Sequence, residues 1–184
     1  MFLHLKAVAV QPLFVFYIFL VKGMSLIFKP KFIFDNIIDI TVEFLKENSI
    51  KGLLVDVDNT LTIAHANPTL KNGVEAWLAK MEENGIEVII LSNAKKERIK
   101  PFAEKIGLDF IGLSLKPLPF NYIKGAKTLN LKRKETAIVG DQLFTDILGG
   151  KLAGVKTILV TDITPEDKTS FKIKRKLEKK ILSR

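Results

Sequence analysis

The chain has 184 residues, 47% of them hydrophobic, no cysteine, and a formal net charge of +9 from 29 Lys and Arg against 20 Asp and Glu. That length supports the core of one ordinary domain and is short for two. Without cysteine there is no disulfide framework and no thiolate metal site, so a metal would sit on oxygen or nitrogen ligands, and a cytosolic setting fits.

In chain order, the first feature is the apolar stretch AVAVQPLFVFYIFLV, residues 7–21. Interrupted by Gln11-Pro12, it falls short of the roughly 20 residues a spanning helix needs, and no small-x-small cleavage site follows it. An interfacial membrane segment, a packed strand or helix, and an extension ahead of a true start at Met24 all stay open. We expect a leader over 1–24, one folded domain over 25–167 and a basic tail over 168–184. Thr41 is a plausible cap for a short helix over 41–48. Lys51-Gly52 then leads into LLVDV (53–57), a continuous apolar run of the kind found in strands buried on both faces. Leu70, Val74, Trp77, Leu78 and Met81 recur at helical spacing, with Trp77 on the core side and Gly85 as the stop.

The remaining segments alternate. EVIILS (87–92) reads as a strand, KKERIKPFAEKIG (95–107) as a helix ended by Gly107, and DFIGLS (109–114) as a short strand. FNYIKGAKTLN (120–130) reads as a helix, TAIVG (136–140) as a strand, LFTDILGGKLAG (143–154) as a helix ended by Gly154, and KTILVT (156–161) as the last strand. Helices between consecutive strands imply right-handed parallel crossovers, hence a three-layer α/β/α sandwich on a five-stranded parallel sheet. The tail follows: from Lys168 to Arg184 there are eight basic residues against Glu178 alone, leaving the rest of the chain 21 basic and 19 acidic residues. Such a tail suits a solvated helix or an anionic bilayer; no aromatic interleaving suited to base stacking accompanies the lysines, which disfavours nucleic acid.

Ligands of an open α/β sheet bind beyond the carboxyl ends of its strands. Asp56 and Asp58 lie there after the first strand, Ser92 and Asn93 after the second, Lys116 after the third, and Asp141 and Asp146 after the fourth. Residues i and i+2 of a strand share a face, so Asp56 and Asp58 can point to one site unless the turn redirects the second. Clustered carboxylates need raised pKa values or a metal, and oxygen-only ligation favours Mg²⁺. Ser92, with amides at a helix start, and Lys116 can bind a phosphoryl group. His65 lies in a polar loop and reads as exposed.

Four segments, DVDNT (56–60), SNA (92–94), Lys116-Pro117 and GDQLFTD (140–146), resemble in order and placement the four motifs of the haloacid dehalogenase phosphatases. The resemblance implies Asp56 as nucleophile and Asp58 as general acid/base. It implies phosphate binding by Thr60, Ser92, Asn93 and Lys116, and an Mg²⁺ site from Asp56, Asp58 through its carbonyl, Asp141 and Asp146. Asp146 could serve as a second metal-site carboxylate or as one that orients Lys116. Asp58 and Ser92 are only 34 positions apart, and Ser92 and Lys116 only 24, too few for an inserted cap domain. An open site suits a macromolecule, a lipid head group, or a ligand enclosed by a second subunit.

More finely, residues 28–180 resemble the YqeG branch of subfamily IIIA, related to the mitochondrial phosphatidylglycerophosphate phosphatases. GDQLFTDILGGKLAGVKTILV (140–160) and IKPFAEKIGLDFIGLSLKPLP (99–119) carry that resemblance. It implies dephosphorylation of phosphatidylglycerophosphate by a cytoplasmic enzyme peripheral to the inner face of the membrane, acting on a phospholipid at an anionic surface. The competing expectations are a capless phosphatase of a soluble sugar acid phosphate, made selective by oligomer contacts, and a non-enzymatic RNA-binding module.

Overall fold

Short runs of Leu, Ile and Val with few polar side chains form the centre of the molecule because both faces of their sheet are covered. In the computed structural model, which describes residues 27–63, 69–161 and 178, the sheet is six-stranded and wholly parallel. The elements are β1 Phe32–Phe34, α1 Val42–Glu47, β2 Gly52–Val55, α2 Val74–Glu83, β3 Glu87–Leu91, α3 Lys96–Lys105, β4 Asp109–Ile111, α4 Phe120–Thr128, β5 Thr136–Gly140, α5 Leu148–Ala153 and β6 Lys156–Val160. Strand order is β1-β6-β5-β2-β3-β4. The sheet belongs to a compact unit spanning Pro30–Asp167. The apolar leader, His65 and nearly all of the basic tail lie outside the described residues. Among those described, no helix is long and apolar enough to cross a membrane.

Alternation along each strand builds two cores. Leu53, Val55, Ile90, Ala137 and Val139 face one side with Trp77, Met81, Ile99 and Phe102 of α2 and α3. Leu54, Ile89, Leu91 and Ile138 face the other with Tyr122 of α4 and Ala153 of α5. These are the three layers expected from the crossovers. Thr41 caps α1, its hydroxyl accepting from the Phe44 amide at 3.1 Å. Trp77 is a core residue, its indole donating to the Ile40 carbonyl at 2.8 Å.

The sheet has one strand more than the five expected. The addition is β1, Phe-Ile-Phe, which pairs with β6 from Phe32↔Ile158 to Phe34↔Val160. Phe32 and Phe34 hold it down by edge-on contacts with Phe44 of α1, each pair of ring centroids 4.9 Å apart. The segment expected to be one helix from 143 to 154 is instead a π-helical turn over Leu143–Ile147 followed by α5. The Ile147 amide reaches back five residues to the Gln142 carbonyl, the wider turn often found at functional sites.

Candidate active site

β2 ends at Val55, and the Asp56 amide makes one more rung to the Val139 carbonyl at 3.0 Å. The chain then turns sharply: the amides of Thr60, Leu61 and Thr62 all donate to the Val57 carbonyl, and Asn59 sits at φ 62°, a left-handed conformation asparagine tolerates. The turn separates the two aspartates. Asp56 accepts from Lys116 Nζ at 2.7 Å, whereas Asp58 receives both guanidinium nitrogens of Arg98, at 2.9 and 2.5 Å. Arg98 projects from the first turn of α3, and its partner is 40 residues away, so nothing local in the sequence announces the pair.

Lys116 is bonded at 2.7 Å to Asp146 as well as to Asp56, and all three side chains are almost wholly buried. Of the two roles left open for Asp146, orienting the lysine is the one its side chain makes directly; its other oxygen accepts from the Gln142 amide at 3.1 Å. Asp56, Asp141 and Asp146 bring ligand oxygens within 4.8 Å of one another. Three buried carboxylates against one ammonium leave an excess of negative charge. Burial pushes the carboxyls of Asp56 and Asp146 above their ordinary range, with Lys116 working against the shift in both. For Lys116, burial acts to lower the pKa, but Asp146 and Asp56 outweigh it and hold the ammonium charged. An all-oxygen, buried, electron-rich donor set of this kind fits a hard divalent cation. The Asp58 carboxylate is outside the cluster, so any part it takes there falls to its backbone carbonyl.

The Asn93 side chain, expected to bind phosphate, is engaged with the loop that follows β4. Its side-chain oxygen accepts from the Lys116 amide at 2.7 Å and the Ser114 hydroxyl at 3.0 Å, and its amide nitrogen donates to the Lys116 carbonyl at 3.1 Å. It clamps the loop that carries the lysine. Ser92 is buried and its oxygen accepts from the Ala94 amide at 3.2 Å, which leaves the hydroxyl proton to donate. The Thr60 hydroxyl is buried and has no hydrogen-bond partner among the described residues.

Gly140, ahead of Asp141, is required by Asp146: a Cβ there would lie 2.3 Å from the Asp146 carboxyl carbon. Gly140→Ala is therefore expected to displace Asp146 from Lys116, with about 1–3 kcal/mol of stability lost by overpacking. Thermal melting alongside phosphatase assays checks it; a fully active variant with an unchanged melting temperature counts against the contact. A cleft of about 1080 Å³ also opens in the molecule, but around Glu87, Gly107 and Asp109 at the amino ends of β3 and β4, and none of the candidate site residues lines it. The clustered carboxylates and Lys116 lie at the opposite, carboxyl ends of the strands.

Comparison with known proteins identifies the family. The family model for haloacid dehalogenase-like hydrolases matches residues 63–154, and the one for mitochondrial PGP phosphatase matches residues 17–108. The probable phosphatase YqeG of Bacillus subtilis is 37% identical over 156 residues, 85% of this chain and 90% of that protein. The mitochondrial phosphatidylglycerophosphatase GEP4 of Saccharomyces cerevisiae is 26% identical, with 73% of this chain and 78% of that protein aligned. Among solved structures, the deoxy-D-mannose-octulosonate 8-phosphate phosphatase of Haemophilus influenzae shares the fold at a TM-score of 0.52 and 19% identity, covering 75% of this chain and 90% of that one. The chain thus belongs to the haloacid dehalogenase-like hydrolases, as a phosphatase of the branch that includes YqeG and the mitochondrial PGP phosphatases.

Proposed function

We propose that the chain is an Mg²⁺-dependent phosphatidylglycerophosphate phosphatase working through an aspartyl-phosphate on Asp56. The observation that carries the chemistry is the buried Lys116, shared between Asp56 and Asp146 beside Asp141. The substrate rests on the similarity to PGP phosphatases over residues 17–108 and on the lack of room for a cap. Asp56, Asp141 and Asp146 would hold the cation, which supplies charge neutralisation for the phosphoryl oxygens.

In the first step an Asp56 carboxylate oxygen attacks phosphorus, the bond from phosphorus to the glycerol oxygen breaks, and Asp58 gives that oxygen its proton. In the second, water attacks the same phosphorus, Asp58 takes the water proton, and the Asp56–phosphorus bond breaks to release phosphate. Lys116 and the Ser92 hydroxyl counter the charge on the transferring group, and positioning with charge stabilisation is most of what this transfer demands. Arg98 orients the Asp58 carboxylate by donating to both of its oxygens. Arg98→Ala is accordingly expected to lower kcat about 10- to 100-fold through lost orientation with KM little changed, and Arg98→Lys to recover little because an ammonium cannot make the bidentate contact. Steady-state kinetics on a soluble monoester separate this from a role in substrate binding, which would raise KM.

The assignment is tested by phosphate release from phosphatidylglycerophosphate in mixed micelles with Mg²⁺. Turnover by the wild type and none by Asp56→Asn is the expected result. A wild type inert on the lipid but efficient on soluble monoesters sinks the lipid assignment. By this reading the enzyme works at the cytoplasmic face of an anionic membrane.

A further inference from the structure

The loop that carries Lys116 has a second pattern. Ser114 and Lys116 turn inward, while Leu113, Leu115, Leu118 and Phe120 are 49%, 62%, 48% and 70% exposed. Single exposed apolar residues are ordinary on protein surfaces. Here four of the nine large hydrophobics exposed among the described residues fall within eight positions, and a fifth, Ile63, lies in the loop after β2 at the same end of the sheet. Leu113 and Leu115 have φ of 49° and 52°, left-handed backbone that leucine adopts only where its surroundings impose it. The Asn93 clamp draws Ser114 and Lys116 inward, and the Leu113 amide is tied to the Ala94 carbonyl at 2.9 Å. Strained backbone thus presents Leu113 and Leu115 to solvent on either side of the buried Ser114, directly ahead of the buried Lys116.

Cations flank the apolar residues. Lys95 and Lys96 are exposed on the turn packed against Gly112, where a Cβ would lie 3.1 Å from Lys96 Cγ. Lys124 is exposed one helical turn beyond Phe120 on α4, and Glu97 is the acidic residue beside the first two. Apolar residues rimmed by lysine are complementary to an anionic bilayer, where side chains enter the boundary of head groups and acyl chains and cations meet lipid phosphates. A second copy of the same surface would set lysine against lysine.

We propose that residues 113–120 form a membrane-docking rim that seats the catalytic mouth on an anionic lipid surface. This deepens the phospholipid reading and rests on it for its purpose, but the two can fail separately. Because the chain has no cysteine, single sites can be labelled with a polarity-sensitive fluorophore in the full-length protein: Leu115→Cys, Phe120→Cys and, as control, the exposed Leu152→Cys on α5. Each labelled variant is required to hydrolyse para-nitrophenyl phosphate at the wild-type rate, and Phe120→Cys carries the test if Leu115→Cys does not fold. Vesicles of phosphatidylcholine with phosphatidylserine contain neither substrate nor product.

Emission at 115 and 120 is expected to rise several-fold and shift to the blue on these vesicles, less on phosphatidylcholine alone, and not at 152. Silence at 115 and 120 overturns the proposal, whether or not the chain sediments with the vesicles. A rise on adding unlabelled chain without lipid also overturns it and identifies self-association. Insertion without turnover of phosphatidylglycerophosphate in micelles leaves the rim standing and defeats the substrate assignment; turnover in micelles without insertion does the reverse.

Discussion

Asp56→Asn is expected to abolish turnover and, in metal-free protein at neutral pH, to melt higher than the wild type. On the proposed mechanism Asp56 is the nucleophile, and losing it lowers kcat by about 10⁴–10⁶-fold. The stability change has the opposite sign because the wild-type site holds three buried carboxylates against one ammonium. Burial raises the Asp56 pKa in the fold, so the native state binds that proton more tightly than the unfolded chain does. The resulting stabilisation is fully present below the ordinary carboxylate pKa of about 3.9 and is lost as pH rises through the folded value. Above it, the wild type keeps an ionised, buried, repelled carboxylate, and the asparagine variant does not. With chelator present, the gap in melting temperature should widen from pH 5 to pH 8, by roughly 2–4 °C for each kcal/mol of penalty. Mg²⁺ should narrow the gap by stabilising the wild type more. A variant that melts lower than the wild type at both pH values contradicts the charge argument, and one that keeps its activity removes Asp56 as nucleophile.

What the sequence disclosed was what short-range patterns encode. TAIVG coincides with β5 because a strand buried on both faces is an unbroken apolar run. The stop of α5 at Gly154 was visible because a left-handed C-cap, here φ 73°, selects glycine. β1 escaped because three residues are too few to show a period, and its hold on the sheet comes from the distant Phe44. The strand ends carrying the candidate site were legible, since apolar runs ending in Asp, Ser or Asp again mark them. The partners within the site were not. Alternation placed Asp56 and Asp58 together, but a turn closed on the Val57 carbonyl parts them, and neither Arg98 beside Asp58 nor Asn93 beneath Lys116 has a local signature. The π turn was hidden for a related reason: helical spacing of apolar residues does not distinguish a five-residue from a four-residue closure, and what fixes it here is the return of Asp146 to the Gln142 amide and Lys116.

Lys116→Met should give the largest loss of stability of any single change in the site. The side chain has almost the same length and volume, so little is attributable to a cavity; what is removed is the cation that, among the described residues, lies within hydrogen-bond distance of both Asp56 and Asp146. Breaking a buried pair by deleting one partner costs about 3–5 kcal/mol because the other charge stays buried. For a chain of this size that corresponds to a fall of roughly 6–20 °C in melting temperature. The remaining carboxylates respond by taking up protons, so the loss should be smaller at pH 5 than at pH 8, and Mg²⁺ should restore more to the variant than it adds to the wild type. The decisive comparison is the double variant Lys116→Met/Asp146→Asn. If uncompensated charge is the cause, removing a second charge relieves the first loss, and the double variant melts above Lys116→Met despite two changes in the core of the site. If instead the lysine matters through packing, the two losses add. Activity should be low in both, by about 10²–10³-fold, since neither retains the cation that in the proposed mechanism meets the phosphoryl oxygens. Stability and catalysis therefore part company at one residue pair: the aspartate expected to make Lys116→Met unstable is the same one that holds the ammonium in place, where the proposed mechanism has it meet the phosphate.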